Sequence, residues 1–137
     1  DPVMIGHIDR VIRWCREYGL YVILDLHGAP GGQTGTNIDD SENDLPELFL
    51  SPEHQQTTVD HWRELAQRYC DNWTVAGYDL LNEPLPEWFS EHNGKVLPLY
   101  TRIVEAIREV DRRHLIILEG VHHRLIFAGV LLHLFKA

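Results

Sequence analysis

The residues best equipped for chemistry lie in Tyr78-Asp79-Leu80-Leu81-Asn82-Glu83-Pro84. An apolar run beginning near Val75 has the pattern of a buried strand. It ends in an amide and a carboxylate side by side, and Pro84, which has no N–H for a ladder, stops it. In parallel α/β folds, sites are built where buried strands open into loops. A carboxylic acid at such an edge, half removed from water, keeps its proton to higher pH. It can then act as a general acid toward a departing oxygen, the chemistry that cleaves a glycosidic bond. The same residues also fit a strand-end Glu that caps the next loop.

Two further strands end in the same way. Tyr21-Val22-Ile23-Leu24-Asp25-Leu26-His27 and His114-Leu115-Ile116-Ile117-Leu118-Glu119-Gly120 are near-continuous apolar runs, as in parallel strands covered on both sides. Alternation puts Ile23, Asp25 and His27 on one face. Between the strands lie helical periods. Ile5, Ile8, Ile12 and Cys15, with Val11 beside them, mark a helix over 4–18 that Gly19 closes. Ser51-Pro52-Glu53 is a helix start, and Val59, Trp62, Leu65, Ala66 and Tyr69 are its buried stripe. A third helix spans roughly 96–110, with Tyr100, Ile103, Val104, Ile107 and Val110 inward. Strands alternating with helices predict an α/β fold with a parallel sheet and right-handed crossovers. Polar residues gathered at the strand ends (His27, Asn82, Glu83 and Glu119) match the active face of a TIM barrel. His27, beside a glycine-rich loop, is therefore a site candidate rather than a core histidine.

The loop 28–50 is the longest irregular region. Loops of that length inside a compact domain are usually functional. Its glycines do not make a phosphate cradle: Gly35 is followed by Thr36-Asn37, not Lys-Ser/Thr. They suit close approach of backbone and ligand. Leu45–Leu50 is expected to fold back onto the body. The acids from Asp39 to Asp44 lack EF-hand spacing and fit a solvated loop. No metal site is expected: His122 and His123 are adjacent and point apart, and His54 and His61 lack the H-E-x-x-H pattern. No cofactor is implied. Trp73, Trp88 and Phe89 are candidate sugar platforms, with ordinary packing the alternative. Trp14 and Trp62, on helices, are expected in the core.

Net charge −9 argues against nucleic acid and anionic membranes as partners, and no apolar run approaches the ~20 residues of a membrane span. Cys15 and Cys70 fit either a bridge or two buried thiols. They leave the compartment open, with a secreted or periplasmic setting favoured over the cytoplasm. The absence of a starting Met suggests a chain that begins inside a longer product or a processed form.

In this order and with helices between them, LDLHGAPGGQTG, GYDLLNEP and HLIILEG resemble glycoside hydrolase family 5, the cellulase-like (β/α)₈ enzymes that hydrolyse β-glycosidic bonds with retention. HGAPGGQ is similar to the β-glucanase and exo-glucanase branches. The resemblance runs from about residue 5 to 120 and implies a β-linked glycan as substrate. It implies Glu83 as general acid/base, Asn82 as the residue holding the sugar 2-hydroxyl, and His27 as a substrate-binding residue on the active face. Trp88, just after the acid, joins them as a candidate platform. The family's first two strands, with an Arg near the site, would lie before residue 1, and its nucleophilic Glu on a strand after 120. An eight-unit barrel needs around 250 residues, and this chain supplies about three units. Residues 1–120 are accordingly expected to be a central fragment of the catalytic domain, with two open sheet edges and an uncovered inner face, inactive alone. Residues 121–137 are an atypical apolar tail whose pattern fits a short apolar helix. A non-catalytic carbohydrate-binding remnant and a small standalone α/β protein are the competing readings.

Overall fold

The computed structural model describes residues 2–39, 41 and 43–121. Helix α1 (Pro2–Glu17) leads into strand β1 (Val22–Asp25), α2 (Pro52–Tyr69) into β2 (Val75–Asp79), and α3 (Val96–Val110) into β3 (Leu115–Ile117). Single-turn 3₁₀ geometry occupies Glu47–Phe49, and further 3₁₀ turns span Glu87–Lys95. The strands form one parallel sheet in the order β1-β2-β3. The expected alternation, parallel pairing and adjacency are all present.

The helix signals act as their chemistry demands. Ser51 Oγ accepts the His54 N–H at 3.3 Å, Pro52 takes the first position, and Glu53 lies in the first turn. Helix α3 buries Val96, Leu99, Tyr100, Ile103, Val104 and Ile107 along one stripe, and α2 buries Val59, Trp62, Ala66 and Tyr69. These stripes meet the sheet row Leu24–Tyr78–Ile116, which the strand register aligns. Trp62 sits at the centre of this core. Its ring lies 5.7 Å from that of Tyr78, and its Nε1–H donates to the Leu80 carbonyl at 3.1 Å. A buried indole keeps its one donor satisfied in this way. Leu45–Leu50 does fold back, burying Leu48 and Phe49.

Helix α1 is held differently. Ile12 is its one buried residue, with Ile8 partly buried against the core. Its other anchors are polar: Asp9 takes an ion pair from Arg68 and a hydrogen bond from the Tyr69 hydroxyl at 2.8 Å. The Arg68 hydrogen bond is the main reason that the Asp9 carboxyl is held below its ordinary range. Trp14 is not core, as its helical position suggested, but half exposed, and Val11 is exposed as well. The helix turns one face to the core, and these two residues lie off it. Cys15 and Cys70 are both free and half-buried.

The opposite face of the sheet is open. Ile23 and Leu115, in one register row through Gly77, are 53% and 56% exposed. Among the described residues, β1 and β3 each hydrogen-bond to one neighbouring strand, leaving two edges. Gly77 itself is required: a Cβ there would come within 2.8 Å of the Leu115 carbonyl oxygen. The tail from residue 122 onward, with His122 and His123, lies outside the described residues.

Candidate active site

The backbone ladder runs past the regular strands and brings their ends to one level. Leu26 N–H donates to the Asp79 carbonyl, Asn82 N–H to Leu26, and Leu80 N–H to Ile117, each at 3.2 Å. His27, Asn82, Glu83 and Glu119 therefore share the C-terminal edge of the sheet, as alternation and strand length led us to expect.

His27 is exposed, and its Nδ1 meets Asp25 Oδ2 at 3.0 Å. A carboxylate can only accept, so Nδ1 carries the proton and Nε2 is left for other partners. Asn82 is half-buried, and its carbonyl is pinned from below. Glu83 is exposed, where the sequence suggested a half-desolvated carboxyl, because the inner face of the sheet is open to solvent. The backbone of Glu83 is unusual: φ is +45° at a non-glycine residue that precedes proline. Side chains avoid the left-handed region, and a following proline ring pushes the residue toward extended geometry, so the surroundings must hold this conformation at a cost of about 1–3 kcal/mol. Strain of this kind is concentrated at functional sites.

Among the described residues, two hold it in place. The Glu83 N–H donates to Glu119 Oε2 at 2.6 Å. Glu119 is fixed in turn by the Tyr100 hydroxyl, which donates to its carbonyl at 3.0 Å. The second is Gln33, which sequence reasoning passed over as one polar residue in a glycine-rich loop. It is completely buried. Its Nε2 donates to the carbonyls of His27 and Asn82, both at 2.9 Å, and its Oε1 accepts the Ala29 N–H at 3.0 Å. Its own carbonyl accepts the Leu85 N–H at 3.1 Å. One side-chain amide thus ties the loop after β1 to the loop after β2. The only signal in the sequence was an amide amid glycines and apolar residues; its partners lie up to 49 residues away.

The Asp79 carboxyl, inside β2, is held well above its ordinary range. Burial first, and then the negative charges of Glu119 and Asp25, push it up to about 7. Register places Asp25 directly opposite Asp79, so these acids face one another across the inner side of β1 and β2. Asp79 Oδ1 is buried without a hydrogen-bond partner among the described residues.

The aromatic candidates separate. Trp88 is 68% exposed in the loop that follows Glu83. Phe89 is committed to packing, stacked 6.3 Å from the His92 ring and closed over Gly35, where a Cβ would meet its Cε2 at 2.5 Å. Gly35 also has φ +69°, so no other residue fits there easily. Trp73 precedes β2 and lies at the opposite end of the sheet from Asn82 and Glu83. In the loop 28–50, Asp39 accepts from Thr34 N–H, Ser41 N–H and Ser41 Oγ, so it organises the turn internally.

Parallel strands alternating with helices, with polar residues at their C-terminal edge, are the architecture of consecutive units of a (β/α)₈ barrel. Over residues 1–125 the chain matches the cellulase family model, glycosyl hydrolase family 5. It is 38% identical over 119 residues to a β-xylosidase of Phanerodontia chrysosporium, covering 87% of this chain and 24% of that protein. To a probable glucan 1,3-β-glucosidase A of Aspergillus fumigatus it is 37% identical over 116 residues, covering 81% and 27%. Among solved structures, a glycoside hydrolase superposes with TM-score 0.79 at 28% identity, covering 98% of this chain and 40% of that one. The chain belongs to glycosyl hydrolase family 5. It spans about a quarter of the length of the curated relatives it matches.

Proposed function

We propose that this chain carries the general acid/base of a retaining β-glycosidase acting on a β-linked glycan, with Glu83 in that role. Glu83 donates its proton to the glycosidic oxygen as the bond to the anomeric carbon breaks. A carboxylate outside residues 1–121 attacks that carbon and forms a glycosyl-enzyme. Glu83 then removes a proton from the water that hydrolyses it. Asn82 holds the 2-hydroxyl of the sugar, His27 binds substrate on the same face, and Trp88 offers an exposed aromatic platform. The observation that carries this reading is the strained, doubly tethered Glu83 backbone at the C-terminal edge of a parallel strand. The names of the relatives, a β-xylosidase and a glucan 1,3-β-glucosidase, agree with a β-glycosidic bond as the target.

Residues 1–137 alone are proposed to be inactive. Retention needs two carboxyl groups about 5–5.5 Å apart across the scissile bond. Asp25 sits inside β1, below the strand end that carries His27, and the resemblance puts the nucleophile on a strand after residue 120, so neither Asp25 nor Glu119 is well placed as nucleophile. The test uses the complete gene product that contains this chain. Glu83→Gln keeps shape and removes the titrating proton, and turnover of β-glucan should fall ~10²–10⁴-fold. Aryl β-glycosides with activated leaving groups should lose less in the first step, since they need little protonation. Equal losses on both substrates would refute the acid role. Turnover by residues 1–137 above a Glu83→Gln blank would refute the inactivity of the isolated chain.

A further inference from the structure

Glu119 is a carboxylate on the active face that the proposed reaction leaves without a task. We propose that it is a positioning residue for Glu83: its side chain holds the Glu83 peptide in the left-handed conformation and so sets the direction from which the acid approaches the glycosidic oxygen. This deepens the reading of Glu83 as acid/base and rests on it.

Three observations support the assignment. The β2–β3 backbone ladder passes through Leu80 N–H to Ile117 and then gives way to a side chain: the next contact between these strand ends is Glu83 N–H to Glu119 Oε2 at 2.6 Å. A φ of +45° sets how the Glu83 side chain and the chain after it leave the peptide that this N–H anchors. The acceptor is itself anchored, because Tyr100, buried in α3, donates its hydroxyl to the Glu119 carbonyl. A chain of contacts therefore runs from the α3 core stripe, through Glu119, to the peptide of the acid. An ionised carboxylate is the strongest acceptor available for such an amide. A Gln in its place would still accept, and an Ala would not. Proton transfer depends steeply on placement, since a displacement near 1 Å can cost ~10²-fold.

The experiment has a structural and a kinetic arm, both on the complete gene product. In ¹⁵N-labelled protein, the Glu83 amide proton should lie downfield and move with titration of the Glu119 carboxyl. Glu119→Ala should abolish both features, and Glu119→Gln should keep a downfield amide that no longer titrates. In kinetics, Glu119→Ala should lower kcat on β-glucan ~10–100-fold, with a smaller loss on an activated aryl β-glycoside and little change in KM. Glu119→Gln should recover most of that loss. A Glu83 amide indifferent to both pH and Glu119→Ala overturns the proposal, as do Gln and Ala variants that fall equally on both substrates. If Glu119→Ala does not fold, the titration of the unaltered protein and the Gln variant still decide it. If Glu83→Gln shows no dependence on the leaving group, the acid reading fails by itself, while the amide titration still reports on the tether.

Discussion

Gln33 offers the sharpest test of how this active face is assembled. Replacing it with Leu roughly keeps its volume and deletes all three side-chain hydrogen bonds, to Ala29 N–H and to the His27 and Asn82 carbonyls. Gln33 is fully buried, so water does not easily replace those bonds. An orphaned buried polar group costs about 1–3 kcal/mol. The two carbonyls keep a second lone pair and the loops can relax, so the total is set near the low end, about 3 kcal/mol. With a urea slope of about 1–3 kcal/mol/M, the midpoint should fall by roughly 1.5 M. Leu99→Ala is the control: it removes a buried side chain in α3 at a comparable cost of ~2–5 kcal/mol without touching the loops. Amide exchange then separates the two. Gln33→Leu should speed exchange at Asn82 and Leu85 beyond the global loss of stability, because one loop hangs on the other through this residue. Leu99→Ala should raise exchange only through global unfolding. A Gln33→Leu protein within 0.5 kcal/mol of the parent, or one whose loop amides exchange only in step with global unfolding, would refute the tether.

Asp79 sets a pH dependence. Its carboxyl is pushed up to about 7 from 3.8, so the folded chain binds that proton more tightly than the unfolded one. The stability tied to the proton is fully present below 3.8 and is lost as pH rises toward 7. Asp79→Asn should therefore raise stability at pH 8 by on the order of 1 kcal/mol once solvent screening of a half-buried group is allowed for, read as a higher melting temperature, and change little at pH 4; parallel melting-versus-pH curves would count against it. Asp111 behaves oppositely. Burial pushes its carboxyl up, but hydrogen bonds from the Tyr78 hydroxyl and from Arg113 and His114 outweigh this and hold it low. Its contribution is present above the ordinary carboxylate value and is lost as pH falls through the lower folded value. Tyr78→Phe should cost about 1 kcal/mol at pH 7 in urea unfolding, and the difference should shrink in acid. Trp88→Ala should leave stability within about 0.5 kcal/mol, since the ring is exposed, while weakening binding of β-linked oligosaccharide in the complete gene product, as read by calorimetry.

What the sequence determined by itself was the repeating order and the edge of the sheet. Apolar runs that end in His27, Asn82-Glu83 and Glu119, with helical periods between them, have few other solutions, because strands alternating with helices build a parallel sheet whose polar groups collect at one end. Helix α2 was legible to the residue, since Ser51, Pro52 and Glu53 act on their own backbone, and local chemistry does not need the fold. Residue type misled where period did not. Trp14 lies about 200° around α1 from Ile12, off the face that Ile5, Ile8, Ile12 and Cys15 mark, and it stays half exposed.

The tertiary structure alone decided the couplings. That Gln33 joins His27 to Asn82, that Asp79 is squeezed between burial and the charges of Glu119 and Asp25, and that Glu119 serves the backbone of Glu83 all depend on register between strands far apart in sequence. Composition and spacing carry no record of such pairs. A side-chain hydrogen bond acts over about 3 Å of space, whatever the number of residues along the chain between its partners.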